Sequence, residues 1–304
     1  MPKRGIKFRD LLPGRAPKTP GFGISSGYYL SILANTASLP SPIIVANPKG
    51  ESGAMAGFAI PMRTDVGKEA LGEPMIRGRY GFVSPDQKTA LEATIISLEE
   101  AGFQPDPFLA SPAGMALPDE VRSRIKAAWN LIQLVFKSHD PMVYPALDFQ
   151  LGVAKRLAEL TDGVVADPLS QLYRLPQDIL IERKPGEQFA IQDVVTVKNR
   201  PDGARLHMFT LGLQKFGLPE LEMTGIPKEI EEPAARLLLG VAKTIFKGAK
   251  VEPGDQLGSS KAPLRIAEGG LDRGMWEGIK VYELIPDKTM PVEECLLMWS
   301  VENP

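Results

Sequence analysis

A chain of 304 residues, 43% hydrophobic and 24% charged, is long enough to bury a sizeable core and too apolar to stay unfolded. Its single cysteine, Cys295, excludes an intramolecular disulfide and zinc centres built on cysteine clusters; two histidines, His139 and His207, exclude a histidine-rich metal centre within one chain. The formal charge of −2 conceals a split, because residues 1–42 carry six cations against Asp10 alone, a net +5, and leave −7 for the remainder.

Those cations are Lys3, Arg4, Lys7, Arg9, Arg15 and Lys18, spaced along a proline-punctuated arm. The start "MPKRGIKFRDLLPGRAPKTPG" has no apolar centre, so it does not read as a signal peptide. No run reaches the ~18 apolar residues of a membrane span, which excludes a membrane partner on this reading. The expectation is a cytoplasmic protein. One reading makes the arm a solubilising tail. Another docks it on an acidic surface, its own or a neighbour's. Nucleic acid is disfavoured, since the body is acidic and the arm lacks a dense basic run.

After the arm, "PIIVAN" (42–47), "GFAIPM" (57–62) and "MIRGRYGFV" (75–83) read as strands. Ser84-Pro85 reads as a helix start, with Ala90, Leu91, Ile95 and Leu98 facing inward and Gly102 as the stop. A second helix is expected from Pro118 to Phe136, on the spacing of Val121, Ile125, Trp129, Ile132 and Phe136. A third spans about 146–161, followed by the strand "VVAD" (164–167). "AIQDVVTVKNRPDGARLHMFTL" reads as a hairpin turning at Asn199–Gly203. A fourth helix covers about 230–247, and strands follow near 263–267, 279–285 and 295–300. "LGVAK" occurs at 151–155 and again at 239–243, each time with a glycine stop downstream. Duplication would explain it, and so would the ordinary grammar of helix ends, which is favoured here.

The chemistry is sparse. "GESGAMAG" (50–57) has no lysine where a P-loop needs one, and its second glycine comes one place early for a nucleophile elbow. Its free N–H groups leave Gly50, Ser52 and Gly53 as a weak anion-binding candidate, for a small anion or nucleotide. His139 reads as complementing a helix end. Cys295, in "EECLLMW", reads as a buried thiol. Asp140 and Asp167 are scattered acids; either would form an acid–base pair if His207 came within hydrogen-bond reach. Alternation of His207 with Arg205 and Phe209 on one strand suggests a half-exposed histidine instead. "FTLGLQKFGLPEL" (209–221) reads as a structural corner plugged by Leu211, Leu213, Phe216 and Leu218, because it offers few polar groups to a ligand.

The run "TLGLQKFGLPEL" (210–221), preceded by "LAELTDGVVADP" (157–168), resembles segments of uncharacterised bacterial protein families of unknown function. The resemblance implies a soluble α+β bacterial protein. It implies no activity and lends no site residues.

The expected architecture is α+β, with mixed or antiparallel sheets, four main helices and an extended basic N-terminal arm. Its divisions are the arm (1–42), an α/β domain (43–185) and an α+β domain (186–304). The leading functional expectation is a non-enzymatic interaction or self-assembly protein, a homo-oligomer, whose arm docks on an acidic surface of a neighbouring subunit or partner. The alternatives are a hydrolase-like enzyme using Asp140, Asp167 and His207, and an anion binder at 48–57. No cofactor or metal is expected.

Overall fold

A computed structural model describes residues 21–46, 58–63, 71–179, 190–259, 261–270, 272, 274–287 and 290–302. The fold is α+β, with two mostly antiparallel sheets and seven helices among those residues, four of them eight residues or longer. The chain divides into two compact units, Ser26–Phe189 and a second built on residues 190–302 with residues 21–25. The six arm cations and the Gly50–Gly53 candidate lie outside the described residues.

The first unit holds a seven-stranded sheet ordered β2-β3-β4-β5-β1-β6-β7. Its strands are β1 (Tyr29–Ala34), β2 (Ile60–Arg63), β3 (Gly78–Val83), β4 (Ala90–Ser97), β5 (Asn130–Ser138), β6 (Val164–Asp167) and β7 (Leu172–Arg174). Every neighbouring pair is antiparallel. Tyr29–Ala34, assigned to the arm from sequence, is in fact a central strand. "YLSILA" is apolar on both faces and pairs with β5 on one side and β6 on the other.

One sheet face carries Leu30, Ile32, Tyr80, Phe82, Leu91, Ala93, Ile95, Ile132 and Leu134, all buried. The main helix of this unit, α5 (Tyr144–Leu160), packs against β1, β6 and the short helix α1 (Pro42–Ala46). The opposite face is covered near Leu33, Leu131 and Val164 by α2 (Pro105–Leu109), α3 (Pro112–Met115) and α4 (Asp119–Lys126), whose Val121 and Ile125 are buried there.

Several local expectations are corrected. "PIIVA" is the helix α1, not a strand: Pro42 suits a first turn and Ser41 Oγ accepts from Ile44 N–H. Ser84-Pro85 opens a hairpin loop, with Ser84 bonded to Thr89 across it, and the residues after it form β4. There Leu91, Ala93 and Ile95 bury at period two, which overrides the three- and four-residue spacing. The helix from 118 stops at Lys126. Ile132 and Phe136 belong to β5, and Trp129 is 66% exposed. His139 therefore follows a strand rather than a helix.

The second unit holds a six-stranded sheet ordered β11-β12-β13-β10-β9-β8. Its strands are β8 (Thr196–Asp202), β9 (Arg205–Leu211), β10 (Glu220–Ile226), β11 (Gln256–Gly258), β12 (Pro263–Glu268) and β13 (Val281–Pro286); only β10 and β13 run parallel. The hairpin turns at Gly203–Ala204, while Asn199–Asp202 stay in the ladder. Helix α6 (Glu231–Phe246) packs against β8, β9 and β10. Residues 295–300, expected as a strand, belong to helix α7 (Val292–Glu302), which buries Cys295 and Leu296. The two "LGVAK" runs both lie within helices, α5 and α6, but only the first helix leads directly into a strand.

Candidate functional site

The alternation of β8, β9 and β10 sets Arg200, His207 and Glu222 on one face of the second sheet. Arg200 pairs with His207 across β8 and β9, and Glu222 pairs with Phe209 across β10 and β9, one step from His207. The segment between β12 and β13 adds Gly270, Asp272 and Trp276. His207 is 1% exposed and Glu222 is fully buried. This corrects the expectation of a half-exposed histidine: Phe209, Trp276 and Val281 form an apolar cluster on the same face.

Glu222 is the hub. Its Oε2 lies 2.8 Å from His207 Nε2 and accepts from Trp276 Nε1 at 3.0 Å; its Oε1 accepts from Gly270 N–H at 2.5 Å. Arg200 Nε donates to His207 Nδ1 at 3.0 Å, and the same guanidinium binds Asp272 Oδ2 at 2.5 Å. Because Arg200 can only donate, Nδ1 must accept, so the ring proton sits on Nε2 and points at Glu222. Both ring nitrogens are thus engaged. The guanidinium holds the Asp272 carboxyl below the usual carboxylate range, helped by the Met275 N–H. Gly269 permits the close packing: a Cβ there would lie 2.7 Å from Glu222 Oε1 and 3.0 Å from Glu283 N.

A second buried group sits at the corner "FTLGLQKFGLPEL". Leu213–Phe216 form one 3-10 turn between Gly212 (φ 121°) and Gly217 (φ 68°), backbone that side chains rarely adopt. Leu211, Leu213 and Phe216 are buried and Leu218 is half-buried, so the corner is structural. Glu220 Oε1 accepts from Gly212 N–H at 2.8 Å and Gln214 N–H at 3.0 Å, and Thr210 Oγ1 donates to Oε2 at 2.6 Å. Burial pushes this carboxyl above its ordinary value. Lys215, one of the few polar residues of the corner, is fully buried and its Nζ donates to Val194 O at 2.5 Å. Ser25 N–H donates to Lys215 O at 2.7 Å, and the Phe22 ring lies 4.8 Å from that of Phe246 and 6.1 Å from that of Phe216.

Asp140 and Asp167 belong to the first unit, whereas His207 belongs to the second. Asp140 follows β5, is 5% exposed and accepts from Met142 N–H at 2.8 Å; Lys88 Nζ is 3.6 Å away. Asp167 ends β6, is 1% exposed and accepts from Ser170 N–H at 3.2 Å. Burial and the nearby Asp167 raise the Tyr28 phenol well above its usual range. His139 Nδ1 lies 3.2 Å from Asp140 O. Cys295 is buried, and that burial raises its thiol above the ordinary range. An open depression of about 410 Å³ on α2 and α4 is lined by Asp106, Asp119, Arg122 and Lys126, among others. Among the described residues, no three His, Cys, Asp or Glu side chains gather as metal ligands, and no helix is long and apolar enough to cross a membrane.

Glu220, Glu222 and Lys215 were missed from sequence. Glu220, Leu221, Glu222 and Met223, consecutive on β10, are all buried, so both faces of this strand are covered. The available signal was an acid two residues from another on a strand opposite His207.

Compared with known proteins, the chain matches no protein-family model, no curated protein and no solved structure.

Proposed function

We propose that this is a non-enzymatic interaction or self-assembly protein whose basic N-terminal arm docks on an acidic surface of a neighbouring subunit or partner. One observation carries the reading: the root of the arm is held. Phe22 packs against the Phe216 and Phe246 pair, and Ser25 is hydrogen-bonded to the corner at Lys215. The six cations from Lys3 to Lys18 are therefore tethered to a fixed point on the second unit. Residues 3–20, fully extended, span at most about 60 Å, enough to reach past a unit of this size. Residues 190–304 carry 14 Lys and Arg against 17 Asp and Glu, a net −3, so a copy of this chain offers the acidic field such an arm seeks.

The hydrolase reading draws no comparable support. His207 has Arg200 on one ring nitrogen and Glu222 on the other, which leaves neither nitrogen for a substrate proton.

The test compares the full chain with a variant lacking residues 1–20 but keeping Phe22, by light scattering at about 50 mM and 500 mM salt. The expected result is a larger particle for the full chain at low salt, reduced by deletion and by salt. Equal masses under all conditions, with no difference in bound partner, would overturn the reading.

A further inference from the structure

The two bonds that His207 makes fix its charge as well as its tautomer. Nδ1 accepts from Arg200 Nε at 3.0 Å, and Nε2 lies 2.8 Å from Glu222 Oε2. A neutral imidazole suits both neighbours, because it offers one acceptor and one donor; an imidazolium offers two donors. Its second proton would stand on Nδ1, where the Arg200 N–H already points, and a guanidinium accepts no hydrogen bond. The ring is 1% exposed and cannot turn to solvent to escape the clash. A protonated His207 and its bond from Arg200 therefore exclude one another.

The charges around the ring decide which partner gives way. On β8, Arg200 stands directly across from His207, and Lys198, across from Phe209, lies one step along on the same face; Asp202 and Arg205, at the turn of the hairpin, are exposed. On β10, Glu222 is bonded to the ring, while Glu220 is committed to the N–H groups of Gly212 and Gln214. On β13, Glu283 accepts from Thr224 Oγ1 at 2.6 Å. From the segment between β12 and β13, Asp272 holds the Arg200 guanidinium rather than the ring. A charged His207 thus keeps Glu222, the carboxylate already on Nε2, and is repelled by Arg200. The Arg200 and Asp272 side chains are 37% and 36% exposed, so both have solvent to turn into. Asp272 also organises a turn, its Oδ1 accepting from Gly274 N–H at 3.0 Å and Met275 N–H at 3.2 Å. The Arg200 guanidinium ties that turn to β8.

We propose that His207 is an acid-sensitive latch: protonation of Nδ1 evicts Arg200 and releases the Asp272 turn from β8. The trigger belongs to the one side-chain type whose charge ordinarily changes between about pH 5 and 8. Trp276 and Gly270 remain on Glu222, so the segment loosens at Asp272 without leaving the sheet. A guanidinium and a carboxylate that answered one another then become available singly on the surface of the second unit. The device does not involve the arm.

The test is nuclear magnetic resonance of the full chain labelled with ¹⁵N-histidine, in which His139 is the single other imidazole, beside amide hydrogen exchange. At about pH 8 the His207 ring should be neutral with its proton on Nε2; at about pH 5 it should be charged. The Gly274 and Met275 amides should then exchange about tenfold faster, after correction for the intrinsic effect of pH. Arg200→Met should make these amides fast at both pH values. In His207→Gln the side-chain oxygen can accept from Arg200 while the amide donates to Glu222, and neither titrates. That variant should keep the turn protected at both. A ring still neutral at about pH 5 overturns the latch, as does a charged ring with both amides unchanged. An acid response retained in His207→Gln also overturns it, because the trigger would then be another group.

Discussion

The Nε2 of His207 lies 2.8 Å from Glu222 Oε2, and both side chains are sealed from solvent. A buried pair of this kind is stable only if every remaining donor is answered, and here Trp276 Nε1 and Gly270 N–H converge on the same carboxylate. Glu222→Gln offers one acceptor where two oxygens accept, and turns its own N–H₂ against a donor. It should destabilise the second unit by about 3 kcal/mol, read as a lower urea midpoint of Trp fluorescence. A midpoint unchanged within error would mean that the carboxylate is not the hub.

Glu220→Gln should behave oppositely. Both N–H donors to Glu220 reach the same oxygen, Oε1, which an amide retains, and its Nε2 can donate to Thr210 Oγ1. The Thr210 proton then turns to Leu221 O, 3.5 Å away. Burial holds the Glu220 carboxyl above its ordinary range, partly offset by the hydrogen bonds from Gln214, Thr210 and Gly212 and by Lys215. A carboxyl that binds its proton more tightly when folded contributes stability that is full below its unfolded pKa and is lost as pH rises through the folded value. The amide stays neutral throughout. The stability of the wild type relative to Glu220→Gln should thus fall as pH rises from about 4 upward, measured by urea melts at matched pH. A pH-independent difference would show that Glu220 feels no net burial penalty.

The sequence carried the long helices α5 and α6 and the β8–β9 hairpin, because their spacing and turn residues agree with their tertiary setting. It failed where one local signal serves several ends. Ser-Pro occurs at 41–42, 84–85 and 111–112. Ser41 and Ser111 start short helices, while Ser84 bridges a hairpin loop to Thr89. The local preference is the same in all three, and the following residues decide: "LEATIIS" offers a sheet its alternating apolar face, so β4 forms. The candidate cluster was illegible for a related reason. A strand acid usually marks the wet face, and only the partner across the sheet, His207, together with Trp276 from 54 residues further on, reverses that rule for Glu222.

Gly269→Ala tests how tightly the segment after β12 is seated. The new Cβ would lie 2.7 Å from Glu222 Oε1 and 3.0 Å from backbone N of Glu283, and the second of these cannot swing aside. Overpacking of this kind costs about 1–3 kcal/mol. The same loss should accompany a changed Trp fluorescence maximum, since Trp276 shares the carboxylate being displaced. A variant as stable as wild type would show that this segment shifts freely.

Phe22→Ala separates the anchored root of the arm from its charge. The ring sits 4.8 Å from Phe246 and 6.1 Å from Phe216, which themselves pack edge-to-face at 4.8 Å. Truncation removes two aromatic contacts worth about 0.5–1.5 kcal/mol each and alters no cation. Stability should fall by about 1–3 kcal/mol in all, read as a lower melting temperature, and limited trypsin should cleave at Arg15 and Lys18 faster than in wild type, because the backbone downstream is no longer held. If assembly depends on the tether, the association seen at low salt should weaken although all six cations remain. Unchanged cleavage together with unchanged association would show that the Ser25 to Lys215 hydrogen bond, at 2.7 Å, is anchor enough by itself.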